Sequence, residues 1–250
     1  MKITILTENV VSYKGAKSCL AEWGLSIFIQ LKNVNILFDT GHTDVYKKNA
    51  EALGIDLSKT NYIVLSHNHW DHTGGLRFHN FTDKKNLIAH PDVFTKLPQD
   101  QIENIRTDFN VIESKGALEF PKDIFYLGEI PRNNSFESGK YKDDAILDDS
   151  AIVIKTKLGA VVITGCSHSG ICNICDYAKI ISGQKLYAVI GGFHLFEENK
   201  NTVEKTIEYF KKENPILIAP MHCVDFPTQV KFHTICGSNK YSTGDTIELN

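Results

Sequence analysis

The chain has 250 residues, a formal charge of −3, 42% hydrophobic and 23% charged residues, and six cysteines, which is the composition of an ordinary globular protein of one layered domain. That charge offers no basic field to a nucleic-acid backbone, so no nucleic-acid partner is expected, and six cysteines are too sparse for a disulfide scaffold. No apolar run nears the roughly eighteen residues of a membrane span, and the opening "MKITILTENVV" turns polar too early for a secretory signal; a cytoplasmic protein with reduced thiols and no membrane partner is expected.

In chain order, "KITILT", "LSIFIQL" and "VNILF" are short β-branched runs bounded by turn residues, the mark of a hairpin-rich opening. Residues 44–53 have helical spacing, with Val45, Ala52 and Leu53 on one face. "NYIVL" is the next strand. From 81 to 149 the chain offers scattered turn residues, as in "GEIPRNNSFESGK", and only short apolar pieces. An irregular insertion is expected there, either a lid or a surface excursion. "AIVIK" and "AVVIT" resume the strand pattern. In "GICNICDYAKII", Ile171, Ile174, Cys175, Ala178 and Ile181 form a helical stripe, so Cys172 and Cys175 read as packing residues and not as iron–sulfur ligands. "LYAVI" and "ILIAP" close the series, separated by a helix over 202–212 with Val203, Ile207 and Phe210 on one side. The expectation is one α/β domain over 1–250.

Five of these runs end in chemistry: "ILFDTGH", "IVLSHNHWDH", "VVITGCSH", "AVIGGFH" and "LIAPMHC". Ligands of such sheets sit outside the carboxyl ends of the strands. Neighbouring strands lie roughly 5 Å apart, so these side chains can converge.

The densest group is "HNHWDH", with His67, His69, Asp71 and His72 in six positions. Just past a strand the backbone is still extended, so His67 and His69 point to the same side and can hold one cation. Asp71 and His72 follow a turn and can serve a second. Clustered imidazole and carboxylate with no apolar purpose is what a metal site requires.

This stretch fits H-x-H-x-D-H and resembles the signature of the metallo-β-lactamase superfamily. "ILFDTG", "GCSHSGI", "GGFHL" and "APMHC" resemble, in the same order, the branch containing the archaeal dihydropterin-linked ribofuranosylaminobenzene phosphate synthases. The resemblance implies an αββα four-layer sandwich with a dinuclear metal site. It gives His67 and His69 to one ion with a histidine from a later strand, for which we choose His168, and Asp71 and His72 to the other with a histidine near the C-terminus, a position His222 fits. Cys166 stands where many members carry an aspartate bridging the two ions. A thiolate there favours zinc or iron, and the alternative is a small buried residue that binds nothing. Asp39 resembles the carboxylate that orients a ligand imidazole through its other nitrogen. His194 is expected to hydrogen-bond substrate or leaving group, with metal ligation as its other reading. Asp148 and Asp149 are weaker ligand candidates, and His90 could line the cavity. His42, His79 and His233 have no such context.

The resemblance points to a metallo-hydrolase using two divalent ions, zinc first and manganese or iron as alternatives. An activated bridging water would cleave an ester, lactone or phosphoester of a small molecule, with Asp71 holding metal while orienting the attacking hydroxide. A dihydropterin-linked synthase activity is the runner-up, with Trp23, Trp70 and Phe193 as aromatics for a pterin ring. Against it, Trp23 stands where many relatives carry histidine, and "MHCVD" replaces their "HCTG". A di-iron oxidoreductase and a non-catalytic metal-binding protein are the other classes.

Overall fold

Runs of four to seven apolar, β-branched residues are too short to bury a helix face, and each of those above forms a strand in the computed structural model, which describes residues 1–13, 18–137 and 144–249. Thirteen strands and seven α-helices are found among the described residues. By contacts the chain divides into two compact units, Met1–Ser114 with Tyr241–Asn250, and Lys115–Lys240.

In the first unit, β1 (Lys2–Thr7), β2 (Ser26–Gln30) and β3 (Asn35–Phe38) are an antiparallel meander. β4 (Tyr62–Val64), β5 (Lys85–Ala89) and β6 (Phe109–Glu113) then add in parallel, so the direction changes at β3. Parallel neighbours need crossovers. These are α1 (Val45–Ala52) between β3 and β4, α2 (Trp70–Thr73) after β4, then α3 (Pro91–Thr95) and α4 (Gln99–Asp108) before β6. Leu6, Phe28, Leu37, Ile63 and Leu87 of the strands pack with Tyr46, Ala50, Val93, Phe94 and Ile105 of the helices. Ile5, Ile27, Ile36, Phe38 and Val64, at alternate strand positions, are buried too. Burial on both faces is why these strands read as unbroken apolar runs.

The buried face of α1 is Val45, Tyr46, Asn49 and Ala50. Ala52 is exposed, which corrects the expected stripe. Asn49 takes the core position because its amide donates to the Leu6 and Leu20 carbonyls and accepts from Leu20 N–H. A polar residue with full partners leaves no trace in a hydrophobic pattern.

The second unit begins with β7 (Leu118–Glu119), β8 (Ile124–Tyr126), β9 (Ala151–Lys155) and β10 (Ala160–Thr164), all antiparallel. β11 (Leu186–Gly192) and β12 (Leu217–Met221) follow in parallel, connected through α5 (Ile171–Ser182) and α6 (Lys200–Glu213). α7 (Phe226–Cys236) comes after β12; β13 (Thr246–Glu248) belongs to the first unit, where it pairs with β1. No helix among the described residues is long and apolar enough to cross a membrane.

Residues 81–149, expected to be irregular, carry β5, β6, β7, β8, α3 and α4; positions 138–143 of that stretch, the end of "GEIPRNNSFESGK" included, lie outside the described residues. The strands there are two to five residues long, and α4 buries only Ile105. Neither periodicity has enough positions to register.

Phe193, proposed above for a pterin pocket, is instead core. Its ring stacks on Phe210 at 5.5 Å and meets Phe232 edge-on at 5.8 Å. Phe193→Ala is expected to cost about 3–5 kcal/mol through the cavity it leaves, read as a lowered urea midpoint. Cys172 and Cys175 lie in the same core, where burial pushes both thiols well above their usual range, and they act as small apolar residues.

Candidate metal centre

In the first unit, β3 and β4 are parallel neighbours, so their carboxyl ends deliver Asp39 and the "SHNHWDH" stretch side by side. Asp39 is the first residue past β3 and takes a left-handed backbone, φ 54°, which turns its side chain back toward the end of β4. There its Oδ1 accepts from Ser66 N–H at 2.7 Å and its Oδ2 from Ser66 Oγ at 2.6 Å. Oδ2 also lies 2.7 Å from His72 Nδ1. Asp39, Ser66 and His72 are all fully buried.

These contacts decide two tautomers. A carboxylate only accepts, so His72 Nδ1 carries the proton and Nε2 keeps its lone pair. Ser66 Oγ has a single proton, which goes to Asp39. The 2.9 Å contact between Ser66 Oγ and His67 Nδ1 therefore has the imidazole as donor, and His67 Nε2 keeps its lone pair as well. One buried carboxylate thus presents two imidazoles in the form that binds a cation.

His69 is extended at φ −65°, ψ 144° and precedes the single helical turn of α2, which carries Asp71 and His72. The His67 ring lies 4.5 Å from that of His69 and 4.3 Å from that of His72, centroid to centroid. Asp71 Oδ2 is 3.9 Å from His72 Nε2. All four residues of the motif are therefore gathered in one place. The loop is braced from outside: Thr40 donates through both N–H and Oγ1 to the His72 carbonyl, at 2.8 and 3.0 Å, and Leu25 N–H to that of Asp71 at 3.1 Å. Gly75 is required for this approach, because a Cβ there would sit 2.0 Å from the Thr40 carbonyl oxygen. Gly75→Ala is expected to destabilise by about 1–3 kcal/mol, as overpacking does, and to weaken metal retention in the same preparation, read by thermal melting and elemental analysis.

Trp70 and Trp23 are both half exposed, Trp70 standing edge-on to His42 at 4.5 Å. His90 caps α3, its Nδ1 accepting from Asp92 N–H at 3.1 Å. His79 pairs with Asp108 at 3.0 Å, and His233 donates to the Ser238 carbonyl at 2.7 Å. These three histidines have local structural roles.

In the second unit, β10, β11 and β12 are parallel, and each is followed by a turn that carries candidate donor side chains. After β10 come Cys166 and His168, after β11 His194, and after β12 His222 and Cys223. Ser167 at φ 63°, His194 at 48° and His222 at 53° are left-handed, a conformation that costs a side-chain-bearing residue roughly 1–2 kcal/mol. Such outliers gather at functional sites. The His168 and His194 rings are 4.3 Å apart, and one donor atom each from Cys166, His194 and Cys223 lies within 4.8 Å of the other two. Burial raises the Cys223 thiol pKa, but Cys166 and the His194 and His222 imidazoles outweigh it and bring it well below the usual range. Asp149 accepts from Ser169 N–H at 2.8 Å and braces the turn after β10, burial pushing its carboxyl up to about 6. Asp148 is buried beside it in the chain.

The sequence reading missed three residues of these sites. Ser66 stands inside the quoted motif, but only the fold shows it between Asp39 and His67. Ser167 ties its turn to the Gly192 carbonyl at 2.6 Å. Cys223 follows His222 directly, and its adjacency was the only signal available.

A profile of the metallo-beta-lactamase superfamily matches residues 24–181, more than half the chain. The chain belongs to the metallo-β-lactamase superfamily. Its mixed α/β architecture is that of the superfamily, as a solved metal-dependent hydrolase of the beta-lactamase superfamily demonstrates: TM-score 0.84, 25% identity, 100% of this chain and 99% of that one covered. A diphosphatase from the PhnP family shares the fold alone, with TM-score 0.63 at 14% identity over 100% and 98% of the two chains. Among curated relatives, an uncharacterised protein of Methanocaldococcus jannaschii is 32% identical over 92% of this chain and 93% of its own. The 7,8-dihydropterin-6-methyl-4-(beta-D-ribofuranosyl)-aminobenzene-5'-phosphate synthase of the same organism is 29% identical over 93% and 90%. The branch resemblance read from the sequence is thus found in a curated relative.

Proposed function

We propose that the chain is a metal-dependent hydrolase acting on an ester, lactone or phosphoester of a small molecule. In this reading His67, His69 and His168 hold one divalent ion and Asp71, His72 and His222 a second. Zinc is the ion we favour, with manganese and iron as alternatives. The observation that carries it is the buried Ser66–Asp39–His72 relay, which puts the ring protons of His67 and His72 on Nδ1 and so makes Nε2 of each the unprotonated nitrogen. Five imidazoles and a carboxylate are donors that such ions accept. When bound, a cation pair supplies an acidified water and an electrophile for the oxygen of the bond being broken.

The protein's own groups would do the rest. Asp71, with one oxygen committed to metal, can orient the attacking group through the other. His194, partly exposed past β11, can donate to substrate or leaving group. All six cysteines are free thiols, which fits the cytoplasmic location we assign. The test is elemental analysis of the purified protein, followed by an ester and phosphoester panel with that metal restored. Full turnover in a chelator-washed, metal-free sample would refute the reading.

A second reading, a synthase-type reaction on a dihydropterin substrate, is favoured by the 29% identity to the named synthase over 93% of the chain. Assaying dihydropterin condensation beside the hydrolytic panel separates the two.

A further inference from the structure

We propose that Cys166, His194 and Cys223, all residues of the second unit, hold a single thiophilic ion of the zinc type. It goes beyond the hydrolytic reading and stands whether or not that reading does. One sulfur from Cys166, one imidazole nitrogen from His194 and one sulfur from Cys223 lie mutually within 4.8 Å. Each comes from the turn after a different parallel strand, β10, β11 and β12, so three consecutive strand ends converge on one point.

Cys166 and Cys223 are buried, and His194 is partly exposed. The His194 backbone N–H donates to Cys223 Sγ at 3.2 Å, the hydrogen bond that holds a coordinating sulfur in place. Gly192 leaves the room that Sγ takes: a Cβ there would stand 2.7 Å from it. Two cysteines and one histidine with a fourth position open are a donor set that zinc accepts, and soft sulfur selects against magnesium and calcium. Coordination takes both cysteines as thiolates, any thiol proton leaving to solvent, and no oxidant or reductant takes part. This assignment gives Cys166 a partner thiol in its own unit.

The probe is cadmium(II) alone, titrated into the full chain after reduction and chelation, with near-ultraviolet absorption as readout. One equivalent per chain is expected to develop thiolate-to-metal charge-transfer absorption. Cys223→Ser should remove about half of that absorption and weaken binding by at least the roughly 10–100-fold that loss of a supporting contact costs. His194→Asn, whose replacement tolerates the left-handed backbone, should keep both sulfurs and their absorption but weaken binding by a similar factor. The combined His67→Ala and His69→Ala variant should retain the absorption in full. Absence of the band in the unaltered protein would overturn the proposal. So would a band indifferent to Cys223→Ser, or one lost with His67 and His69. Turnover does not enter these readouts, so failure of the hydrolytic reading is told apart from failure of this one.

Discussion

His69→Ala and Asp71→Ala should each lose bound metal and turnover together, with activity falling by at least the roughly 10²–10³-fold that removal of one preorganised electrostatic group costs. Neither residue belongs to the apolar core of the first unit. His69 is extended and half-buried ahead of α2, with no side-chain capping bond to it. Asp71 sits in the first turn of α2, and it is its backbone carbonyl that braces Leu25, a contact that survives truncation of the side chain. The melting temperature of the metal-free variants should therefore stay close to that of the metal-free parent, while metal content and rate collapse. A variant that keeps full activity at undiminished metal content would remove these residues from the site.

The second large effect is expected at Asp39, which need not touch either ion. Asp39→Asn preserves size and tolerates φ 54°, so backbone strain is not introduced. What changes is the count of acceptors. Asp39 now receives Ser66 N–H, Ser66 Oγ and His72 Nδ1. An asparagine has one acceptor oxygen, and its amide hydrogens would face a donor. At least one buried donor is left without a partner, at about 1–3 kcal/mol, and the His67 and His72 tautomers are no longer dictated. Metal affinity should fall roughly 10–100-fold, as for other residues that hold a ligand imidazole. Competition against a chromophoric chelator measures the affinity, and urea unfolding of the metal-free protein measures the stability. Parental values in both would show that Asp39 does not set the ligand form of His67 and His72.

Much of the fold was legible because strands buried on both faces write themselves as apolar runs: "KITILT" coincides with β1, "AIVIK" with β9 and "AVVIT" with β10. The reading failed where structure rests on partners instead of hydrophobicity. Asn49 occupies a core position of α1 by hydrogen bonding, and the two-residue β7 exists only because β8 pairs with it. Phe193 lies within a chemical motif but points into the phenylalanine cluster of the second unit, and its neighbours in sequence carried no sign of that.

The candidate donors are legible in the chain alone. Three imidazoles and a carboxylate within six positions have no packing purpose, and their spacing past an apolar run states both the chemistry and the end of a strand. Tertiary structure decided which nitrogen of each imidazole is offered, because that depends on Ser66 and Asp39, which come from different strands and meet only when β3 and β4 align. It likewise decided that Cys166 and Cys223, 57 residues apart, are neighbours. Local spacing encodes direction along one strand, whereas proximity between strands is set by pairing and register, which no short motif contains.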